Sequence, residues 1–300
     1  MKIPAKRAGR LQPLPLAIQV TMYLAIAWMG IEIFGRLMPW IGGYFLGAFS
    51  TNFLVALFAN LLTLRIYTRH RLVDLGLWWN RGSVDNLALG VLGGAGAACL
   101  VLAPPLLLGL AHIAGTPAEQ PSFAAALFVT AGLIANSSAE ELMMRGYGFQ
   151  VLVASCGSWA TVIPVGVVFA LLHAPNPNAT WFSVANTAGF GILFGYAFLR
   201  SRDLWLPIGL HFGWNFTLPL FGVPVSGLNI KMTGHEMVWS AGTLWSGGDY
   251  GPEASVLTSA VMVALAVYLW KAPVRRHFSP ITDPPAESEV CVPSPVISPS

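Results

Sequence analysis

Residues 122–145 read SFAAALFVTAGLIANSSAEELMMR, an apolar run that ends in two adjacent carboxylates and an arginine. A helix of about 20 mainly apolar residues is long enough to cross the hydrocarbon layer of a bilayer. An ionisable side chain in the middle of such a helix costs on the order of 2.5–3.5 kcal/mol on insertion scales, so its presence indicates a specific role. The stretch therefore predicts a membrane-spanning helix with functional polar groups near one end.

The composition of the whole chain agrees with this interpretation. Of 300 residues, 55% are hydrophobic and 10% are charged, whereas soluble domains average roughly 25% charged residues. These values exclude a soluble enzyme, a nucleic-acid binder and a disordered chain. The three cysteines, Cys99, Cys156 and Cys291, lack paired spacing, so they predict neither a disulfide framework nor a thiolate metal site.

Hydropathy predicts an all-α polytopic membrane protein with about eight transmembrane helices. A basic N-terminus (1–13) precedes a single helical membrane domain (14–272), and no internal repeat is visible. The eight spans are expected near 14–38, 44–65, 86–114, 122–144, 157–174, 181–199, 204–221 and 254–271.

The distribution of lysine and arginine predicts the orientation. An even number of crossings places both termini on one side, and basic residues accumulate in cytoplasmic loops. The opposite side receives Arg36 and Lys231. We therefore expect a multi-pass protein of the cell or inner membrane with both termini in the cytoplasm. Thirteen basic residues share the cytoplasmic side: Lys2, Lys6, Arg7, Arg10, Arg65, Arg69, Arg71, Arg81, Arg200, Arg202, Lys271, Arg275 and Arg276.

Two segments outside the spans have a recognisable composition. Residues 67–85 mix arginines with leucines and tryptophans, which favours a short amphipathic helix at the cytoplasmic interface, with a polar loop as the alternative. Residues 273–300 are rich in proline, serine and acidic residues, and this composition is typical of a disordered tail.

The ionisable residues in the spans differ in how well their sequence neighbours explain them. Glu32 and Arg36 are four residues apart and are expected to pair on one helix face, as are Glu141 and Arg145. Adjacent helical residues point about 100° apart, so Glu140 faces elsewhere and has no expected partner nearby in sequence. A carboxylate in such a position is a candidate general base.

Later spans offer partners for this carboxylate. Phe169 and His173 share one helix face, and His211 and Asn215 share another, so the fourth, fifth and seventh spans are expected to enclose a polar cavity. Glu140 with His173 would take a proton from water, while His211 and Asn215 would donate to the developing oxyanion. Glu140, His173 and His211 would equally form a catalytic zinc site, although the chain contains no HExxH helix.

The three motifs occur in the order EExxxR (140–145), FxxxH (169–173) and HxxxN (211–215). In this order they resemble the CAAX protease and bacteriocin-processing (CPBP) family, also called Abi, which includes the type II CAAX prenyl endopeptidases. The similarity covers about residues 122–222, and the Gly-Pro-Glu stretch at 251–253 resembles the family as well.

The resemblance implies an intramembrane endopeptidase whose water is activated by Glu140 and His173 and whose oxyanion site is formed by His211 and Asn215. It also implies a prenylated or membrane-associated peptide substrate, no nucleic acid and no required cofactor, with zinc as the open alternative. The supporting positions of the first motif fall on Glu141 and Arg145.

Two rival functions stay open at this point. Intramembrane Glu, His and Asn residues also build ion or proton pathways in transporters. A non-catalytic immunity or scaffold protein on the same fold is the other alternative, because fold does not determine function.

The depths of the candidate residues present a difficulty. At about 1.5 Å per residue, Glu140 lies about 26 Å from the outer end of its span, near the cytoplasmic side, and His211 lies about 10 Å from that cytoplasmic side. His173 lies nearer the opposite side, about 21 Å from Trp159. Either the fifth helix begins earlier, near Val151, and is tilted, or the fourth begins above the bilayer.

Overall fold

The computed structural model describes residues 15–116 and 120–283, apart from the side chains at positions 42, 44–46 and 48. The predicted basic N-terminus therefore lies outside the described residues. Short 3-10 turns occur at Leu72–Leu75, Gly248–Tyr250 and Pro252–Ala254. The described part of the chain forms α1 (Leu16–Tyr67), α2 (Arg81–Leu107), β1 (Ala111–Gly115), α3 (Phe123–Arg145), α4 (Tyr147–Cys156), α5 (Ser158–His173), α6 (Trp181–Ser201), α7 (Trp205–Leu220), β2 (His235–Trp239), α8 (Thr243–Ser246) and α9 (Val256–Lys271).

The prediction of an all-α polytopic membrane protein is confirmed. Among the described residues, five helical segments are long and apolar enough to cross a membrane, and α5 and α9 are shorter apolar helices. The five segments are Leu16–Ile41, Phe49–Tyr67, Arg81–Leu107, Phe123–Cys156 and Trp181–Ser201.

The first two predicted spans form α1, which is a hairpin of two helical halves. Gly43 breaks the helix with φ 71° and ψ −179°, a conformation that glycine adopts without steric cost. The halves then pack against each other: the rings of Phe34 and Phe58 meet edge to face at 5.8 Å, and Thr51 donates to the Phe34 carbonyl oxygen.

Close backbone contact fixes α7 against α2. A Cβ atom on Gly94 would lie 2.0 Å from the Leu210 carbonyl oxygen, and one on Gly213 would lie 2.4 Å from the Val91 carbonyl oxygen. Small residues allow membrane helices to approach this closely. The helix that carries His211 is therefore held in a narrowly defined position.

The third predicted span, 86–114, is wrong at its C-terminal end. Helix α2 stops at Leu107, just after Pro104 and Pro105, which lack the amide hydrogen needed to continue the helical hydrogen bonds. Residues Ala111–Gly115 instead form β1, paired antiparallel with β2. The partner strand lies more than 100 residues away, so the local sequence gives no sign of it.

The amphipathic helix expected within 67–85 is reduced to a single 3-10 turn. The Asp74 carboxylate accepts from the Arg71 amide at 2.7 Å, and Gly76 follows with φ 98°, which ends the turn. Asn80 then caps α2 by accepting from the Ser83 amide. The alternative of a polar loop describes this segment better, because its capping residues favour turns over a continuous helix.

The C-terminal segment is ordered further than its composition predicted. The His277 amide donates to the Ser201 carbonyl oxygen, Ser279 is buried, and Asp283 pairs with Arg202 at 3.2 Å. The disordered tail predicted for 273–300 therefore does not describe residues 277–283, whose groups find partners on the helical body. Residues 284–300 lie outside the described residues.

Candidate active site

A cavity of about 460 Å³ lies between α1, α3, α5, α6 and α7. The loop around residues 225–230 and the segment before α9 complete its wall. The structure thus brings the fourth, fifth and seventh predicted spans around one space, as the motifs predicted. Four of the predicted site residues line it: Glu140, His173, His211 and Asn215.

Glu140 lies near the C-terminal end of α3 with its carboxylate facing both histidines. Its Oε2 atom is 3.7 Å from His173 Nε2 and 3.8 Å from His211 Nε2. Its Oε1 atom accepts a hydrogen bond from the Asn136 side chain at 2.6 Å. The expectation that Glu140 lacks a partner nearby in sequence is therefore wrong: Asn136 is four residues earlier, on the same helix face.

His173 ends α5 and is oriented by its own helix. Its Nδ1 atom lies 2.8 Å from the Phe169 carbonyl oxygen. A carbonyl oxygen only accepts, so Nδ1 carries the hydrogen and the neutral ring keeps a lone pair on Nε2. That lone pair faces Glu140 and the cavity, where it can accept a hydrogen bond or a proton from water.

Glu141 and Arg145 form the ion pair that their spacing predicted. The charged atoms are 3.2 Å apart and both side chains are fully buried. Arg145 also donates to the Gly191 carbonyl oxygen and lies over the Phe169 ring, 5.3 Å from its centre. The pair joins α3 to α5 and α6 from the inside of the bundle.

His211 lies between the two glutamates. Its Nδ1 atom is 3.0 Å from Glu141 Oε1, while Nε2 faces Glu140. If Glu141 is a carboxylate, it accepts from Nδ1, and Nε2 donates only when the ring carries both hydrogens.

Asn215 lies one turn after His211 on α7 and faces the same cavity. Among the described residues, none forms a hydrogen bond with its side chain. Its amide group is consequently available to a molecule bound in the cavity, as an oxyanion donor must be.

The difficulty with depth is resolved by α4. This helix adds ten residues, about 15 Å, between α3 and α5, and it contains Val151. Gly146 separates it from α3, and the Tyr147 amide there donates to the Asn60 side chain at 2.7 Å. The added length lets α5 begin beyond the end of α3, so that His173 reaches the level of Glu140.

Comparison with known proteins identifies the segment that carries these residues. Residues 122–217 match the family model of the type II CAAX prenyl endopeptidase Rce1-like proteins. This match confirms the resemblance to the CAAX-protease family. It covers about a third of the chain and contains all three motifs. No curated protein and no solved structure matches the chain.

The wall around the matched segment also includes a residue from outside it, Glu253. Its carboxylate lines the cavity and accepts from the Trp214 indole at 2.9 Å and from the Ser226 amide. Burial raises the pKa of the Glu253 carboxyl, and these hydrogen bonds act in the opposite direction. Glu253 lies in the 251–253 stretch that resembles the family, but no role could be predicted for it, because its partners on α7 and in the preceding loop are 39 and 27 residues away.

A metal was the open alternative for the matched segment, with Glu140, His173 and His211 as ligands. Among the described residues, no group of three or more His, Cys, Asp or Glu side chains has a geometry that could hold a metal ion. Zinc binding by these three side chains stays a prediction that chelation tests.

Proposed function

We propose that this chain is an intramembrane endopeptidase that hydrolyses a peptide bond of a prenylated, CAAX-type or other membrane-associated substrate. The carrying observation is that Glu140 Oε2 and the Nε2 atoms of His173 and His211 converge in one cavity. The family match supports a CAAX-type intramembrane protease in general.

In the proposed reaction, a water molecule bound beside Glu140 and His173 attacks the carbonyl carbon of the substrate. The proton of this water passes to the Glu140 carboxylate while its oxygen forms the new bond to carbon. His211, carrying both ring hydrogens, and the Asn215 amide donate to the carbonyl oxygen as it becomes negative. The proton then passes from Glu140 to the leaving nitrogen as the carbon–nitrogen bond breaks.

Glu141 and Arg145 support this arrangement without contacting the substrate. The Glu141 carboxylate holds His211 in one orientation, and Arg145 balances the charge of Glu141. A hydrogen bond to the far ring nitrogen is the usual way in which a carboxylate fixes a catalytic histidine.

The cavity wall supports an apolar substrate group. Near Glu140 it is lined by apolar side chains of the α1 hairpin and α3, which suits a prenyl chain or an apolar peptide segment. These residues are Ile31, Phe49, Val55, Leu133 and Met143. The same proposal places the protein in the cell or inner membrane with both termini in the cytoplasm.

The test is cleavage of a quenched fluorescent farnesylated CaaX peptide by purified protein in detergent, beside the same peptide without the farnesyl group. We expect the farnesylated peptide to be cleaved faster, with activity that persists after chelation. Equal rates on both peptides would contradict the prenyl part of the proposal. Loss of activity on chelation, restored by Zn²⁺, would contradict the metal-free part.

The oxyanion role has its own variant in this assay. Asn215→Ala should lower kcat about 10²- to 10³-fold, because one donor to the transition state is removed. The matched control is Asn229→Ala, which changes an exposed asparagine outside the cavity and should keep the wild-type rate. Equal rates for the two variants would exclude Asn215 as an oxyanion donor.

A further inference from the structure

The two oxygens of the Glu140 carboxylate have different surroundings. Oε1 is bound to Asn136 Nδ2 at 2.6 Å. Oε2 is buried, and no described residue donates a hydrogen bond to it. A buried carboxylate oxygen without a donor is costly, so Oε2 has an unmet need for a hydrogen bond at the point where water would bind. Oε1 is therefore occupied by Asn136, whereas Oε2 is available to water.

Asn136 in turn is oriented by a residue of another helix. Asn52, in the second half of α1, donates from its amide nitrogen to Asn136 Oδ1 at 2.9 Å. An asparagine side chain has one accepting and one donating end. Because Asn52 engages the accepting end, the donating end of Asn136 faces Glu140.

The chemistry of an amide suits this position. A neutral amide orients the Glu140 carboxylate without adding a charge, whereas a second cation besides His211 would stabilise the charged carboxylate further and weaken it as a base. The two adjacent glutamates differ in the partner that each has on α3. Glu141 has the cation Arg145 as its partner, and Glu140 has Asn136.

We propose that Asn136 is a positioning residue, held by Asn52, that binds Oε1 of Glu140 so that Oε2 takes the proton from the attacking water. In that step one O–H bond of water breaks, its proton moves to Oε2, and the hydroxyl oxygen bonds to the substrate carbonyl carbon. The inference rests on the proposed function and extends the site to α1, outside the matched family segment.

A purely structural role for the same bonds would be to tie α1 to α3. The melting temperature separates the roles. Asn136→Leu removes both bonds, whereas Asn136→Asp keeps the oxygen that accepts from Asn52, removes the donor to Glu140 and adds a negative charge beside it. The positioning role predicts that Asn136→Leu lowers kcat at an unchanged melting temperature, while a tie between helices predicts that kcat falls only together with the melting temperature.

The experiment measures kcat, KM and the melting temperature for the farnesylated peptide in detergent. We expect Asn136→Leu and Asn136→Asp to lower kcat about 10- to 100-fold, with KM within about twofold, because a small displacement of the base slows the chemical step. Thr130→Val, which changes a hydroxyl group on α3 outside the cavity, is the matched control and should match the wild type.

A double-mutant cycle tests whether Asn52 acts on Glu140 only through Asn136. Asn52→Ala should lower kcat less than Asn136→Leu does, and the double variant should be no slower than Asn136→Leu, because Asn52 acts only through Asn136. Additive losses would contradict this order.

The outcomes separate this inference from the proposed function. Wild-type kcat in Asn136→Asp, with Glu140→Gln inactive, overturns the positioning role and leaves the protease standing. Cleavage that survives in Glu140→Gln overturns the proposed mechanism, and the positioning role with it.

Discussion

Two segments of this chain place a glutamate four residues before an arginine, and their environments are opposite. In α1, Glu32 and Arg36 pair at 2.5 Å, with 43% and 82% of their side chains exposed. In α3, Glu141 and Arg145 pair at 3.2 Å with no exposure at all. The same spacing thus gives the same contact, but only the buried pair is connected to further polar groups.

What distinguishes the two segments is what surrounds the pair. Around Glu141 and Arg145, the chain adds a second glutamate, two histidines and the carbonyl oxygen of Gly191. Among the described residues, no further charged group or hydrogen-bond acceptor of this kind contacts the Glu32–Arg36 pair. A buried ion pair is costly to desolvate, so it persists where additional hydrogen bonds and charges compensate it. The difference indicates that α3, rather than α1, carries the proposed chemistry.

The largest expected loss of activity comes from removing His173, the histidine beside the α3 site, which has no counterpart near Glu32 and Arg36 among the described residues. His173→Ala should lower kcat about 10²- to 10⁴-fold, since the ring that helps to activate water is lost. Cleavage kinetics and a melting curve in detergent measure the change. His112→Ala alters an exposed histidine of β1 and serves as the control. Equal rates in both variants would remove His173 from the site.

The next effect concerns stability. Arg145→Leu should destabilise the protein by about 3–5 kcal/mol, because Glu141 would be left buried without its counter-charge. Denaturation in mixed detergent followed by circular dichroism gives the free energy of unfolding. A loss below about 1 kcal/mol would show that Glu141 finds another partner and that the pair is not central.

The smallest effect completes the comparison. Arg36→Leu removes the equivalent arginine of α1, and we expect the free energy of unfolding to change by about 0.3–0.5 kcal/mol or less, as for exposed helical pairs. The same denaturation series measures it. A loss as large as that of Arg145→Leu would mean that exposure does not separate the two pairs.

The sequence predicted the helices and the motif contacts well, because both depend on local spacing. Hydropathy located the long apolar helices, apart from the C-terminal end of α2, and the i,i+4 rule located the Glu141–Arg145 pair and the shared faces of α5 and α7. The rule also applies to Asn136 and Glu140, but an amide and a carboxylate lack the opposite charges from which the other pair was predicted.

Features that depend on distant partners were not predictable in this way. The β1–β2 pair, the contact from Asn52 and the position of Glu253 all join residues that are far apart in sequence. The packing of residues 273–283 likewise depends on partners such as Ser201 and Arg202, at the C-terminal end of α6. Composition alone therefore predicted a disordered tail, although residues 277–283 pack against the helical body.

The most direct test of the central claim compares Glu140→Gln with Glu32→Gln in the peptide-cleavage assay. Glutamine keeps the size of the side chain and removes the base. We predict that Glu140→Gln lowers kcat about 10²- to 10⁴-fold with an unchanged melting temperature, while Glu32→Gln cleaves at the wild-type rate. A wild-type kcat in Glu140→Gln would contradict the account.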